Sequence, residues 1–514
     1  MRLRVKGEGM ESSTPRLVIH ESDLAELDMS GPGMASIVNP KEMRVRIDSS
    51  STLLNTGEAI VPRSIMDFQG LDEGGILELK PPAIPQSVEL IKKTMDRVQL
   101  SSPEMATVLD DIMLGRISKG EIAAWLTALH VNGLTEDEVY DLTLAMVRTG
   151  EVLEFDRGPV FDFHSIGGVP GNKITPIVVS IAAEAGLLIP KTSSRAISSA
   201  CGTADFVEVF CDIEMNGSRI KEISQRTGGV FAWGGAMNLT PVNGLIIETQ
   251  YPLGIDPRSI MMASIMSKKM AMGAKNLVMD IPMGPGTKIG NADDAGQFAQ
   301  SFISLGRRLG MEVQCAITDG RQPLGTAIGP ALEARECIKA LECGQGLKDV
   351  IEKASGLAGM LLEMGGMQDG TARAMRILES GRALAKFREI AAAQGGDPDL
   401  SSKDIEVGRH SIVIYARREG YVNTVDNKAL VAIARAAGAP RFKGGGIVLH
   451  KKIDQRVEMG EPIMTLYSDN REKLERAMGM AMKMKPLWVG GLVIEKKSQN
   501  GRGRMSPSSV TRRE

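Results

Sequence analysis

The sequence predicts a multidomain protein of the α/β class, with a β-rich N-terminal domain, a helical domain, a central α/β domain and a C-terminal α/β domain. Length is the first observation, because 514 residues suffice for roughly three or four domains of about 150 residues each. The spacing of apolar residues is the second. It changes along the chain from strand-like to helical, and then to alternating strands and helices.

Residues 1–84 alternate short apolar runs with Gly and Pro, which is typical of a small β-rich domain. This segment contains no pattern that points to chemistry, so we expect it to serve packing or assembly. The predicted strands are Leu3–Val5, Met43–Ile47, Ile60–Pro62 and Ile76–Leu79.

Residues 85–160 have helical periodicity and predict a helical domain, on which about 241–272 is expected to pack. Ser102 and Thr135 each precede an acidic turn, and a hydroxyl residue in that position is an N-cap signal. The pattern therefore predicts several short helices with defined starts.

Residues 161–407 predict a central α/β domain, in which helices cover a sheet. The apolar segment Ile177–Leu188 is expected to be a buried helix. Further strands are predicted at Gly229–Ala232, Asn276–Ile281 and Glu312–Thr318, and further helices at Pro257–Met272, Ala295–Leu309 and Ala331–Leu341.

Residues 408–498 predict a separate C-terminal α+β domain. It contains the strand H-S-I-V-I-Y-A, helices at Asn427–Ala437 and Asn470–Met482, and the turn and strand G-G-G-I-V-L-H. Residues 499–514 are polar and are predicted to form a disordered tail.

The charge balance argues against a nucleic-acid partner. The chain has 61 Lys and Arg against 63 Asp and Glu, a formal net charge of −2, so there is no global basic field. Aromatic residues make up only 4%, which disfavours base-stacking platforms. Any anion must therefore be bound locally.

Cysteine and histidine usage argues against disulfides and metals. The five cysteines have no C-x-x-C spacing, and an odd count fits a reducing cytoplasm. The five histidines form no H-E-x-x-H motif, so we expect neither a metal nor another cofactor. No apolar run resembles a signal peptide or reaches about 18 residues, so no membrane association is expected.

Two loops rich in glycine and hydroxyl residues flank the buried apolar helix, Ser165–Lys173 and Lys191–Thr203. Glycines let the backbone approach an anion, hydroxyl and N–H groups donate hydrogen bonds, and Lys173, Lys191 and Arg195 add positive charge. One such loop is usually just a turn. For two such loops that flank one helix, a phosphate site and a pair of ordinary turns are equally good interpretations.

Other residues are ambiguous when taken alone. Ser264 and Lys268 lie four apart on one face of a predicted helix, where they would form either a ligand contact or a solvated stripe. Asp256 precedes Pro257, and this pair is the expected N-cap and N1 of the helix.

A third loop follows a predicted strand and has the sequence P-M-G-P-G-T-K-I-G-N, with Lys288 as its only charge. Ligands of α/β sheets usually lie at the carboxyl ends of strands. His164 is either a ligand contact or a hydrogen-bonded wall residue.

Several motifs agree in order and spacing with one family. H-S-I-G-G-V-P-G-N-K, K-T-S-S-R-A-I-S-S-A-C-G-T-A-D and A-S-I-M-S-K-K-M-A-M-G-A-K-N-L-V-M-D resemble the thymidine and pyrimidine nucleoside phosphorylases. With G-I-D-P-R-S, P-M-G-P-G-T-K and the added N-terminal domain, the chain more closely resembles the archaeal AMP phosphorylases. The resemblance covers about 86–498 and implies a helical and an α/β domain that close on a nucleoside.

The resemblance implies a role for individual residues. Asp256 corresponds to the proton donor, while Ser165, Ser193 and Thr203 fall where relatives hold inorganic phosphate. Lys268 falls where relatives contact the base, and His164 is a further candidate contact for phosphate or base. The implied nucleotide contacts are Gly168, Ser194, Arg195, Ala196, Ile197, Ser198, Ser199, Thr203, Ser264 and Lys288.

Two departures disfavour a thymidine-specific enzyme. Phe163 replaces the lysine of the relatives' Lys-His-Ser-Thr-Gly-Gly motif. Thr249 aligns near their arginine that reads the pyrimidine, and a threonine cannot donate a bidentate pair. Lys288 is an additional cation that suits the phosphate of a nucleotide.

The sequence therefore predicts phosphorolysis of nucleoside 5′-monophosphates. AMP and inorganic phosphate would give adenine and ribose 1,5-bisphosphate, with CMP and UMP as further candidate substrates. Because the relatives are dimers or larger, the resemblance also implies a homo-oligomer, with residues 408–498 as the expected assembly surface.

Three alternatives stay open: a pyrimidine nucleoside (thymidine) phosphorylase, an anthranilate-type phosphoribosyltransferase and a non-catalytic nucleotide sensor. Phosphoribosyltransferases of that type bind magnesium diphosphate through acidic pairs. The adjacent aspartates Asp110-Asp111 and Asp293-Asp294 both fall in helix-start or helix-surface contexts. A sensor needs no proton donor.

Overall fold

The chain folds into two compact units. The first comprises Met1–Gly150 and Thr240–Ser267, and the second comprises Glu151–Leu239 and the described residues from Lys268 onward. The computed structural model describes residues 1–9, 15–29, 33–39, 41–81, 84–197, 199–237, 239–342 and 347–491. The predicted tail, 499–514, lies outside these ranges.

The first unit begins with a six-stranded closed barrel. The strands are β1 (Arg2–Gly9), β2 (Arg16–His20), β3 (Gly33–Asn39), β4 (Met43–Ser50), β5 (Glu58–Pro62) and β6 (Ile76–Lys80). Their order is β1-β5-β2-β4-β3-β6, and β6 pairs with β1 to close the barrel. Apolar residues alternate along the strands, so side chains such as Leu3, Val5, Leu17 and Ile19 fill the interior.

The barrel confirms the predicted β-rich N-terminal domain and its four predicted strands. Strands β2 and β3, which have five and seven residues, were not predicted. A 3-10 helix (Glu21–Leu27) and helix α1 (Arg63–Gln69) also lie in this region.

Helices α2 (Gln86–Met95), α3 (Ser102–Met113), α4 (Lys119–Asn132) and α5 (Glu136–Arg148) form the predicted helical domain. The predicted N-cap Thr135 is confirmed, because its hydroxyl accepts from the Glu138 N–H at 3.3 Å and its own N–H donates to the Glu138 carboxylate at 3.0 Å.

The predicted N-cap Ser102 is wrong by one residue. Ser101 caps α3, and its N–H and hydroxyl donate to Glu104 at 2.9 and 2.8 Å. Two consecutive serines precede Pro103, and only Ser101 lies three residues before the glutamate that completes the capping box.

The next part of the chain alternates strands and helices, as predicted. In chain order these are β7 (Val160–Ser165), α6 (Thr175–Glu184), β8 (Ile189–Ser193), α7 (Thr203–Val207), α8 (Gly217–Thr227), β9 (Gly229–Trp233), α9 (Val242–Leu253), α10 (Arg258–Ala271), β10 (Ala274–Met283), α11 (Ala292–Arg308), β11 (Glu312–Asp319), β12 (Ala327–Ile328), α12 (Pro330–Leu341), α13 (Lys348–Met364), α14 (Gly370–Glu379) and α15 (Arg382–Ala393). Of these, α9 packs on α3 and α4 in the first unit.

The sheet of the α/β region, in the second unit, is parallel. Strands β7, β10 and β11 pair in the order β11-β10-β7, and a parallel bridge from Val160 to Leu188 continues to the parallel pair β8-β9. The carboxyl ends of these strands therefore lie at one edge. Helix α6 is buried as predicted, with Ile177, Val178 and Ile181 fully inaccessible.

The C-terminal part forms two antiparallel sheets. Its elements are β13 (His410–Tyr415), β14 (Gly420–Val425), α16 (Asn427–Ala436), β15 (Gly446–Leu449), β16 (Arg456–Val457), β17 (Pro462–Ser468), α17 (Arg471–Met484) and β18 (Leu487–Gly490). The sheet orders are β12-β15-β17-β13 and β16-β14-β18. Strand β12 comes from the preceding region, so residues before 408 complete the C-terminal fold.

A group of buried charges surrounds the start of α12. The Nζ of Lys173 lies 2.6 Å from the Glu336 carboxylate and donates to the Leu324 carbonyl at 2.7 Å. The Glu333 carboxylate accepts from the Gly329 N–H at 3.0 Å. Lys173 was predicted to add positive charge to a phosphate loop. It is instead fully buried against Glu336, which offsets its charge.

Burial raises the pKa of Glu333 to about 7, from an ordinary value of 4.5. Between these values the folded protein holds a proton that the unfolded chain has released, so the free energy of unfolding falls as pH rises. Glu333→Gln removes this titration and keeps an oxygen to accept from Gly329. We expect the variant to be about 1–3 kcal/mol more stable than the wild type at pH 8, with a smaller difference at pH 5.

Thermal unfolding across pH 5 to 8 measures this difference. The matched control is Glu379→Gln, which changes an exposed carboxyl on α14 and should leave the pH dependence unaltered. A stability difference for Glu333→Gln that does not change with pH would contradict the assignment.

Candidate active site

Three loops that contain predicted ligand contacts lie at the carboxyl edge of the parallel sheet. They are 166–174 after β7, 194–202 after β8 and 284–291 after β10. Ligands of parallel α/β sheets bind in the crevice outside this edge. All three loops belong to the second unit.

The loops after β7 and β10 touch through their backbones at Gly168. A Cβ on this glycine would lie 3.0 Å from the amide nitrogen of Lys288 and 3.3 Å from the Cα of Thr287. Its φ of +95° also favours glycine. The structure thus brings together Gly168 and Lys288, two of the predicted nucleotide contacts.

Ser165, at the end of β7, is held by a network that centres on Asp280. The amide of Asn172 donates to the Ser165 hydroxyl at 3.0 Å and approaches the Asp280 carboxylate at 3.5 Å. Fully buried Asp280 also accepts from the Thr318 hydroxyl at 2.6 Å and pairs with Lys353 at 2.8 Å. This network fixes the position of the Ser165 side chain.

The loop after β8 is organised by Asp205, which is 3% exposed. Its carboxylate accepts from the backbone N–H groups of Ala196 at 2.7 Å and Gly202 at 2.8 Å. A Cβ on Gly202 would lie 2.6 Å from the Ala196 nitrogen, so only glycine fits there. The loop therefore folds back on itself between Ser193 and Thr203, which end β8 and begin α7.

Within this loop, Ser194, Ala196, Ile197 and Ser199 are described, and the predicted contact Ser198 lies outside the described residues. The side chain of Arg195 does not offer an unpaired charge. Its guanidinium donates to Glu208 at 2.9 and 2.5 Å and to Glu214 at 3.0 Å.

Two lysines lie against Asp162, on β7. Asp162 is fully buried, and its carboxylate accepts from Lys269 at 2.6 Å and lies 3.5 Å from the Nζ of Lys191. Two buried ammonium groups thus share one carboxylate. Burial lowers the pKa of Lys191, and the Asp162 charge opposes that shift.

The electrostatic effect of these lysines reaches the predicted base contacts. Burial, and then the positive charges of Lys269 and Lys191, lower the pKa of His164 well below its ordinary value, so the imidazole is neutral at pH 7. Burial and the adjacent Lys269 lower the pKa of Lys268 to about 8.

The remaining predicted residues lie on or near α10. Ser264 and Lys268 are largely buried but keep some exposed surface, whereas the residues that flank them are buried, as expected for one helix face. Asp256 is exposed and precedes the helix. Helix α10 begins at Arg258, and the Pro257 carbonyl accepts from the Met261 N–H at 2.9 Å, so the helix starts within one residue of the predicted Asp256–Pro257 cap pair.

Sequence reasoning missed Asn172, Asp205, Asp280 and Lys353. Asn172 and Asp205 stand inside quoted motifs, so a search for polar residues next to the selected glycines would have found them. Lys353 carries no local signal, because its partner Asp280 is 73 positions away in the chain.

Among the described residues, no group of three or more His, Cys, Asp or Glu side chains is placed to hold a metal ion. Within the same ranges, no helix is both long enough and apolar enough to cross a membrane.

Comparison with known families defines the class of protein. Residues 88–150 match the helical bundle domain of a glycosyl transferase family, 157–384 match its α/β domain, and 421–485 match the C-terminal domain of pyrimidine nucleoside phosphorylases. Part of the fold is also similar to that of the anthranilate phosphoribosyltransferase from Thermus thermophilus, at 20% identity over 60% of this chain and 99% of that chain, with a TM-score of 0.50. The chain is therefore a pentosyltransferase of the nucleoside phosphorylase type.

Similar proteins of known name identify the family within this class. The AMP phosphorylase of Thermococcus kodakarensis is 43% identical over 96% of this chain and 99% of its own length. That of Methanosarcina barkeri is 43% identical over 96% and 98%, and AMP phosphorylase 1 of Archaeoglobus fulgidus is 47% identical over 84% and 86%. The chain belongs to the AMP phosphorylase family, and the resemblance inferred from its motifs is confirmed.

Substitution of Lys353 tests whether its buried ion pair with Asp280 stabilises the fold around the site. Lys353→Met leaves the Asp280 carboxylate buried without its cation. We expect the free energy of unfolding to fall by about 3–5 kcal/mol, measured by urea denaturation at pH 7.

The matched control is Lys221→Met, which breaks a solvent-exposed 3.1 Å pair with Asp156 in the same unit. Exposed pairs contribute about 0–1 kcal/mol. Equal effects of the two substitutions would show that Asp280 does not depend on Lys353.

Proposed function

We propose that this chain catalyses the phosphorolysis of AMP, with adenine and ribose 1,5-bisphosphate as products. Family membership supports the reaction, and one structural observation carries the proposal. Gly168 and Lys288 are in backbone contact at the edge of the parallel sheet, where an anionic ligand can meet backbone N–H groups and a lysine together.

In the proposed reaction, an oxygen of inorganic phosphate attacks C1′ of the ribose. The bond between C1′ and the base nitrogen breaks, its electron pair stays with the base, and the base takes up a proton. Positive charge builds on C1′ in the transition state, as it does in glycoside hydrolysis. The enzyme therefore has to position two anions, the attacking phosphate and the 5′-phosphate, and protonate the base.

We assign the attacking phosphate to Ser165, Ser193 and Thr203. The support is that Ser165 is fixed by its hydrogen bond from Asn172, at 3.0 Å. Ser193 and Thr203 end and begin the elements that flank the loop held by Asp205. Hydroxyl donors fixed in advance lower the barrier because they need no reorganisation during the reaction.

We propose that the nucleotide is bound by Gly168, Lys288 and residues 194–199, with Ser264 as a further contact. Lys288 would pair with the 5′-phosphate, which a nucleoside lacks. Arg195 is included through its backbone, because its guanidinium is engaged with Glu208 and Glu214.

We assign the base to Lys268, with His164 as a further phosphate or base contact. A neutral imidazole can both donate and accept a hydrogen bond. Asp256 is the proposed proton donor, and the family resemblance alone supports this role. The proposal requires Asp256 to lose contact with water when substrate binds, because burial raises the pKa of a carboxyl group.

The proposal further includes AMP and inorganic phosphate as ligands, a cytoplasmic location and a homo-oligomeric state. Cys201, Cys211, Cys315 and Cys337 are free thiols, which fits a reducing compartment. Domain boundaries at residues 84, 160 and 407 and the absence of a nucleic-acid partner stay predictions.

Base release tests the proposed reaction directly. We expect adenine to be released from AMP only when inorganic phosphate is present, with no release from adenosine and no inhibition by EDTA. Chromatography of the base, with CMP and UMP in parallel, measures the activity and its base preference.

Other outcomes would favour the alternatives. Release from nucleosides alone would support a pyrimidine nucleoside phosphorylase, and a requirement for magnesium would support a phosphoribosyltransferase. AMP binding without base release under any condition would support a nucleotide sensor.

Asp256→Asn tests the proton donor. General acid catalysis contributes about 10²- to 10⁴-fold, so we expect kcat to fall at least about 100-fold while the Kd for AMP changes little. Single-turnover kinetics and calorimetry measure the two quantities separately.

The control for this variant is Asp110→Asn, an exposed aspartate on α3 that should leave kcat unchanged. A decrease in kcat of less than about tenfold for Asp256→Asn would rule out the role as general acid.

A further inference from the structure

The C-terminal part of the chain holds the loop 194–202 from outside the α/β region. Arg435, on α16, donates through Nη1 to the carbonyl of Ile197 at 3.2 Å and to the carbonyl of Ser199 at 2.9 Å. These bonds join residues 236 to 238 positions apart in the chain. One guanidinium nitrogen therefore fixes two carbonyls of the loop.

Packing at Ala200 supports the same relationship independently. Ala200 is 1% exposed, and it belongs to the buried cluster that includes Leu430, Ile433 and Ala437. A residue of the loop is thus part of the C-terminal hydrophobic core. The loop cannot move away without exposing that core.

A second cation of the C-terminal part reaches the end of the loop. Lys443 donates to the carbonyl of Asp205 at 3.1 Å and makes a short ion pair with Glu208. Arg195 and then Lys443 lower the pKa of Glu208 to about 2, so its carboxylate stays charged and keeps both partners. The loop is thereby held at Arg195 as well as at Ser199.

From these contacts we infer that Arg435 is a positioning residue for the nucleotide loop, and that the C-terminal part serves the active site in addition to any role in assembly. The inference rests on the proposed function. A trans peptide points its C=O and the following N–H in opposite directions. Since the Ser199 carbonyl faces Arg435, the N–H of Ala200 faces away from it.

The effect on an anion follows from this orientation. Carbonyl oxygens that faced the ligand would repel a phosphate, whereas N–H groups attract it. Arg435 holds both carbonyl oxygens on its own side of the loop. It thereby supports the orientation in which backbone N–H groups of the loop can donate hydrogen bonds to a ligand on the other side. Its side chain does not have to touch the substrate.

Substitution of Arg435 tests the inference, because the residue is exposed and its loss should affect global stability little. In Arg435→Ala we expect the KM for AMP to rise about 10- to 100-fold, as for the loss of charged hydrogen bonds, with kcat within about threefold. Arg435→Lys keeps a cation that can reach one carbonyl, so it should recover part of the loss.

The matched control is Arg471→Ala, at an exposed arginine on α17 whose partner Glu475 is also exposed. It should leave both KM and kcat unchanged. Hydrogen exchange of the peptide that covers 194–202 should be faster in Arg435→Ala than in the wild type and the control, at an unchanged melting temperature.

The outcomes separate this inference from the proposed function. If the wild type releases no adenine from AMP, the proposed reaction fails, and hydrogen exchange still tests whether Arg435 holds the loop. If the wild type is active and Arg435→Ala has wild-type KM and wild-type exchange in the loop, the positioning role is overturned.

Discussion

The parallel pairing of β7 with β10 is the constraint on which the site depends. In this register Ser165 stands beside Asp280, so the end of one strand lies next to the buried carboxylate of the other. Pairing of β10 with β11 in the same direction brings Thr318 to that carboxylate from the other side. The loops after these strands meet because parallel strands end together.

Buried charge is the second organising feature of the α/β region. Four lysines with little exposed surface lie against carboxylates: Lys173 against Glu336, Lys269 and Lys191 against Asp162, and Lys353 against Asp280. Buried ion pairs add little net stability compared with apolar packing, but removing one partner is strongly destabilising. A strand arrangement that separated one of these pairs would leave a buried charge unpaired, so the pairs disfavour other arrangements of the strands and of the loops that follow them.

Much of the fold could be predicted from the sequence because strand and helix spacings are local signals. The burial of α6, the helical domain and the alternation of strands and helices were all predicted. The predicted cap Ser102 was wrong by one residue, because two consecutive serines precede the helix and only Ser101 lies three residues before the glutamate of the capping box. Length does not explain why β2 and β3 were missed, because β5 and β6 have only five residues and were predicted. Strand β2 pairs only with β4 and β5, which lie far from it in the chain, so its pairing gives no local signal.

The residues of the candidate site were likewise predicted where the signal is local and missed where it is not. The glycines, hydroxyls and Lys288 indicate an anion-binding loop because their chemistry is evident at short range, and the family could be inferred from them. The sequence by itself determined the family and the class of reaction, and it predicted which segments bind the ligands. Only the tertiary structure decided that Lys173 is buried in an ion pair, that Arg195 is bound by Glu208, and that Arg435 holds the loop. These partners are distant in the chain, and the charge left at a residue depends on which carboxylate the fold places beside it.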